Sequence, residues 1–372
     1  MTVSEQSLPF NDLSIQWREI AEDVRGEFEK VFATSAFCLG SHVEAFEREF
    51  ASYIGVPHAI GVNSGTSALH LAVLAAGLRP GDEVLVPAHT FIATLWAPLY
   101  AGAIPVLCDV DDATGTIDLA DAGRRLSSRT RAIIPVHLYG QAVDMDAVNA
   151  FAATSNLVVI EDCAQAIGAK WRDRSVGVHG FAGCFSFYPG KNLGAAGEAG
   201  LVVTSDDRAA AAMRSLRNHG QLDRYVHTQI GYNYRMDGLQ SAVLRQKLRR
   251  LDLWTARRKE IAARLIKSLS GISGLRLPLP QSDHVWHLFV VRTPRRDALR
   301  DFLKSSGIES GLHYPVGNHR QPCLDHLPMD RNSFARADDW AEQGLSLPLF
   351  YGMTDAQVDR IAAAVQAFFA HG

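Results

Sequence analysis

The sequence predicts an α/β fold, with a mostly parallel central sheet, helices on both faces and a smaller C-terminal α/β domain. Three observations carry this. Between residues 58 and 206, short β-rich runs alternate with helix-forming stretches, as in a sheet wound with crossover helices. Several of these runs are apolar throughout, as strands buried on both faces of a parallel sheet must be. The length, 372 residues, allows about two domains at ~150 residues each. The division expected is residues 1–250, a large domain with an N-terminal helical segment, and 251–372, a small one.

In chain order, the polar, acidic start lacks a basic segment followed by an apolar one, so no signal peptide is expected. Strands are expected at 58–64, 83–88, 104–110, 131–138, 157–163, 184–188 and 201–206. Helical stretches such as TSALHLAVLAAGL and DMDAVNAFAATSN lie between them. Residues 84–108 contain no Asp, Glu, Lys or Arg, a length that could cross a bilayer. Pro87, Pro98, Pro105, Gly102 and His89 interrupt the stretch, which reads instead as strand, helix, strand. From Leu239 to residue 269 there is no Gly or Pro, and one long helix of ~30 residues, ~45 Å, is expected to link the two domains. The tail adds a strand at 286–292 and helices at 297–306 and 355–370.

Composition narrows the function. The chain is 47% hydrophobic and 21% charged with a net charge of −3, ordinary for a globular protein. Neither a nucleic-acid binder nor a polybasic membrane anchor fits that balance. Five cysteines without a C-x-x-C pair suit a reducing, cytoplasmic setting.

In open α/β sheets, ligands sit beyond the carboxyl ends of the strands. Lys191 lies there, in SFYPGKNLGAAGEAG, after an apolar run and among glycines that let backbone approach a bound group. Burial would lower its pKa and free a neutral amine for Schiff-base chemistry; alone, it also fits a loop lysine in solvent. Asp162 ends the apolar run LVVIEDC, where a buried carboxylate needs a cation. A pyridinium nitrogen would serve, and helix capping is the other reading. Gln165, three residues on, could reach a ring hydroxyl on the same group. Asn63–Ser67 joins a strand to an apolar helix, making either an anion site or a plain N-cap. Ser186 could add a phosphate donor, and Phe91 could stack on a flat heterocycle or simply fill core. No P-loop or G-x-G-x-x-G fingerprint is present. His313, His319, Cys323 and His326 match no standard ligand spacing, so no metal is expected. The basic residues between Arg245 and Lys259 read as the solvated face of the long helix.

Taken together, these residues resemble the DegT/DnrJ/EryC1/StrS family of pyridoxal-phosphate sugar aminotransferases. The likeness runs from LGSHVEAFEREFASYIGVPHAIGVNSGTSALHL through VVIEDCAQAIGA and FSFYPGKNLGAAGEAG to GYNYRMDGLQSAVLRQKL, nearly the whole chain. It implies a fold-type-I (aspartate aminotransferase-like) architecture and a homodimer with shared active sites. It maps the Schiff-base lysine onto Lys191, the pyridinium partner onto Asp162 and the ring-hydroxyl partner onto Gln165. Phosphate ligands fall on Gly65, Thr66, Ser186 and, from the other subunit, Asn233; the stacking aromatic falls on Phe91. The tail is similar to members that aminate nucleotide-linked 3-keto-6-deoxy sugars. There His313, Tyr314, His319 and Gln321 fall on the substrate side, with Tyr188, Tyr225 and Arg235 as further candidates. The activity implied is transamination from glutamate to a dTDP-3-keto-6-deoxyhexose, with pyridoxamine phosphate formed in between. The alternatives are a 4-keto sugar nucleotide, an aminocyclitol ketone, or a cofactor-binding regulator without turnover.

Overall fold

The computed structural model describes residues 7–279 and 283–370. Its strands are β1 (His58–Val62), β2 (Glu83–Pro87), β3 (Ile104–Cys108), β4 (Thr130–Ile133), β5 (Val158–Asp162), β6 (Lys170–Trp171), β7 (Arg174–Ser175), β8 (Ala182–Ser186), β9 (Gly200–Thr204), β10 (Gln221–Asp223), β11 (Val226–His227), β12 (Phe289–Arg292) and β13 (Gly344–Leu347). Seven of them form the main sheet in the order β1-β9-β8-β5-β4-β2-β3. β9 runs antiparallel to both its neighbours and the other pairings are parallel. The carboxyl ends of all the strands except β9 therefore open on one edge, where the sequence places its polar residues.

Period-two alternation buries both faces of this sheet. Val84, Val86 and Ile160 enter a core with Leu69, Leu71 and Val73 of the helix Gly65–Ala75. Leu85 and Val159, next to them in sequence, enter a different core with Met145 and Val148 of the helix Met145–Ser155. The uncharged stretch forms β2, the helix Ala93–Tyr100 and β3, as its prolines indicate, and no described helix is long and apolar enough to cross a membrane.

The expected single long helix is two helices, Gly238–Leu248 and Leu251–Leu269. The first packs on Ser14–Thr34 and Ser41–Ile54 beside the main sheet, and the second packs on Asp355–Ala370. One straight rod cannot follow both surfaces, so tertiary packing overrides the unbroken helix propensity of the sequence. The Arg250 guanidinium donates to the Gln246 carbonyl at the break. The second helix shares a core with Phe289 and Val291 of β12, Leu345 and Leu347 of β13, and Leu8 near the N-terminus.

Candidate active site

A cavity of about 710 Å³ opens at the carboxyl edge of the sheet, walled by β5, β8 and the helix Gly65–Ala75 on one side and by residues 287–288, 313–314 and 347–349 on the other. Lys191 reaches it from a turn closed by a 2.8 Å bond from its own N–H to the Tyr188 carbonyl. Asn192 anchors the same turn, donating to the Val285 carbonyl at 2.8 Å. Gly194 is required here, since a Cβ would stand 2.2 Å from the Pro189 carbonyl oxygen. Burial pushes the Lys191 amine down to about 8, against the opposing charge of Asp162. Its Nζ lies 3.5 Å from Nε2 of His287. Burial and the Lys191 charge hold that imidazole well below its usual range.

Asp162, the last residue of β5, is 4% exposed. Its carboxylate accepts from the Thr94 hydroxyl at 2.8 Å and the Ala164 N–H at 3.1 Å. Burial raises its pKa, and the Ala164 N–H, the Thr94 hydroxyl and the Lys191 charge only partly offset it. Two donors leave lone pairs over, and no Lys, Arg or His of the described residues forms an ion pair with it. A cationic nitrogen fits there. Gln165 accepts from the Tyr139 N–H at 2.7 Å and donates to the Tyr314 hydroxyl at 3.0 Å, which fixes its amide orientation.

At the other end of the cavity, Ser64 caps the helix Gly65–Ala75, its hydroxyl accepting from the Ser67 N–H at 3.0 Å. Gly65 and Thr66, whose first-turn N–H groups have no intrahelical acceptor, line the cavity beside Ser186. A Cβ on Gly65 would meet the Ser186 Cβ at 2.7 Å, so glycine keeps this cradle open. The residues present thus fit a flat, phosphorylated, nitrogen-bearing ring with an aldehyde near Lys191.

Gly65, Thr66, Phe91, Asp162, Gln165, Ser186, Tyr188, Lys191, His313 and Tyr314 line this one cavity. Phe91 is half exposed, its ring 5.6 Å from that of Tyr314. His313 stacks on Phe10 at 5.6 Å and its Nδ1 is 2.8 Å from the Ser346 hydroxyl. Five other candidates do not line it. Asn233 is exposed, its carbonyl taking a 3.3 Å bond from Asn63. Arg235 donates to Asn218, and Tyr225 is 75% exposed beside the hairpin β10–β11. His319 is buried against Phe334 and bonded to Asp338 at 2.7 Å, and Gln321 follows it in the next turn. The sequence reading missed His287, Thr94 and Arg258. His287 was hidden in a strand-like run and Arg258 in a basic helix. Thr94, directly after TFIA in the uncharged stretch, carried no signal of its own.

Among the described residues, His137, Glu161 and Cys163 bring three metal-type donors together. The Glu161 oxygens already accept from His137 and from the N–H groups of Gly177, His179 and Gly180. That set fastens the 177–180 loop.

Solved structures share this architecture. Streptomyces venezuelae DesV, solved in complex with a ketimine intermediate, matches at a TM-score of 0.95 and 42% identity, covering 98% of this chain and 99% of that one. Bacillus subtilis NtdA with bound cofactor PMP matches at 0.93 and 29% identity, covering 100% and 86%. The fold and its lysine-bearing cavity define a pyridoxal-phosphate-dependent aminotransferase of the α/β class. Residues 18–366 match the DegT/DnrJ/EryC1/StrS aminotransferase family model, and the chain belongs to that family. Among its relatives, the dTDP-3-amino-3,4,6-trideoxy-alpha-D-glucose transaminase of S. venezuelae is 43% identical over 96% of this chain and 95% of its own length. The UDP-N-acetyl-3-dehydro-alpha-D-glucosamine 3-aminotransferase of Acidithiobacillus ferrooxidans is 40% identical over 97% of each chain.

Proposed function

We propose that this aminotransferase moves the amino group of glutamate to a nucleotide-linked keto-deoxy sugar, a dTDP-3-keto-6-deoxyhexose. One observation carries the reading: a partly buried amine and a buried carboxylate share one cavity in a chain 43% identical to a dTDP-amino-sugar transaminase. Pyridoxal phosphate, when bound, supplies the carbon that carries nitrogen between substrates and a ring that takes up the electron pair.

The chain's own groups do the rest. Lys191 has its pKa near working pH, so its amine can both take a proton and return one. Asp162 holds positive charge at the ring nitrogen, and Thr94 and the Ala164 N–H aim its carboxylate. Gln165, locked between Tyr139 and Tyr314, offers its amide edge to the ring hydroxyl. The helix start at Gly65 and Thr66, with Ser186, holds the phosphate. The walls at His313 and Tyr314 close the substrate side.

We also propose that the working unit is a homodimer in the cytoplasm. Leu222, Tyr225 and Ile230, on and beside the hairpin β10–β11, are 74%, 75% and 89% exposed. A second copy covering this apolar projection would bring it, and Asn233 close by in sequence, toward the neighbouring cavity.

Incubating the protein with pyridoxal phosphate, glutamate and a dTDP-3-keto-6-deoxyhexose should give 2-oxoglutarate and an amino sugar nucleotide by mass spectrometry. Turnover confined to an aminocyclitol ketone would contradict the proposal.

A further inference from the structure

Tyr139 does not line the cavity, yet hydrogen bonds tie it to three residues that do. Its N–H donates to Oε1 of Gln165 at 2.7 Å, and its carbonyl accepts from the Leu288 N–H at 3.2 Å. Its hydroxyl donates to the His313 carbonyl. The residue is buried and holds φ at 60° and ψ at 1°, a backbone conformation rare for a bulky side chain. Gly140 follows at φ 104°, where a Cβ would stand 2.9 Å from the His287 nitrogen. Gln165 in turn donates to the Tyr314 hydroxyl at 3.0 Å. Tyr139, Gln165, Tyr314 and His313 therefore form a closed ring, three links of which are hydrogen bonds and the fourth the chain itself.

The direction of each bond at the hydroxyl follows from its partners. A carbonyl only accepts, so the Tyr139 proton points to His313. The phenolic oxygen also lies 2.7 Å from Nε2 of His89, which must then be the donor. Burial pushes the His89 imidazole down to about 3, so the ring is neutral and its one proton sits on Nε2. Its Nδ1 is buried and has no hydrogen-bond partner among the described residues, as suits an atom without a proton to place. A directed chain runs from His89, just past β2, through Tyr139 to His313, whose own Nδ1 is fixed at Ser346 of β13. We propose that Tyr139 is a positioning residue for the keto-sugar substrate: its hydroxyl sets the His313–Tyr314 wall against Gln165, which its own N–H holds. This rests on the reading of that wall as the sugar side and adds to it a residue outside the cavity.

The test compares the parent holoenzyme with Tyr139→Phe, His89→Leu and the two together. Tyr139→Phe removes one oxygen and leaves both Gln165 bonds in place. It should raise the KM for the keto sugar nucleotide about tenfold, the scale of one lost hydrogen bond, with kcat within about twofold. Cofactor absorbance and the rate at which glutamate converts the cofactor should stay within about twofold of the parent. His89→Leu keeps the Tyr139 hydroxyl on His313 and should raise the sugar KM less than about threefold. The double variant also removes the His89 N–H that Tyr139→Phe alone would orphan, so it covers the case in which the single variant does not fold. Its sugar KM should match that of Tyr139→Phe rather than add the two effects. Hydrogen exchange followed by mass spectrometry should quicken over residues 311–314 in Tyr139→Phe and stay unchanged over 162–166. An unchanged sugar KM in a folded variant would overturn the inference, as would an equal loss of cofactor affinity. Failure of the transaminase reading looks different: the parent forms no amino sugar nucleotide, and exchange over 311–314 alone then decides whether the hydroxyl holds the wall.

Discussion

Glu161 and Asp162 are adjacent, both buried, and both at the end of β5, yet they are built differently. Strand alternation sends their side chains to opposite faces. Burial pushes Glu161 up, but the bond and charge of His137, with the N–H groups of Gly177 and Gly180, outweigh it and leave the carboxyl below its usual range. Burial also pushes Asp162 up, and its two donors and the more distant Lys191 charge do not bring it back. Glu161 is saturated by the protein. Asp162 is left with capacity for a positive partner that no described residue supplies as an ion pair. The difference separates a carboxylate that holds the fold from one held ready for a ligand.

Removing each side chain should break the comparison in opposite ways. Glu161→Ala strips the acceptor from four donors and should cost about 3–5 kcal/mol of stability, read from chemical denaturation. Asp162→Asn should leave denaturation nearly unchanged and lower kcat on the order of 10²- to 10³-fold, the scale of losing one preorganised electrostatic partner. If Asp162→Asn unfolds the protein and Glu161→Ala only slows it, the roles are reversed.

Gly65→Ala sharpens the picture at the phosphate end. Its Cβ would press on Ser186 at 2.7 Å, and an overpacked contact of this kind costs about 1–3 kcal/mol. The loss should appear as faster release of pyridoxal phosphate, followed by absorbance after dilution. The smallest effect concerns pH. Lys191 is lowered from 10.5 to about 8 by burial, so between those values the unfolded chain binds more protons than the folded one. Stability of the cofactor-free protein should therefore rise with pH through that window. Lys247, lowered to about 8 by burial, adds to the slope. Lys191→Met should flatten the rise, measured as denaturation midpoints at pH 8 and 10.5.

Much of this was legible in the sequence because local chemistry and tertiary role agree. Apolar runs marked the buried strands, and the polar residues at their ends marked the cavity, where Lys191, Asp162 and Gln165 converge. What stayed hidden depends on the third dimension. Arg258 looks like any arginine of a basic helix, and only the break after Leu248 turns that helix toward the cavity. His287 reads as one residue of WHLFVVR, and only the fold brings its ring to Lys191. Phe10, in a polar leader, gave no sign that it stacks on His313.

The central claim is that the Lys191 amine carries the cofactor. Borohydride reduction of the protein loaded with pyridoxal phosphate, followed by proteolysis and peptide mass mapping, tests it directly. A phosphopyridoxyl group on Lys191 is the result expected. A label on any other lysine, or no label on a protein that still transaminates, would contradict it.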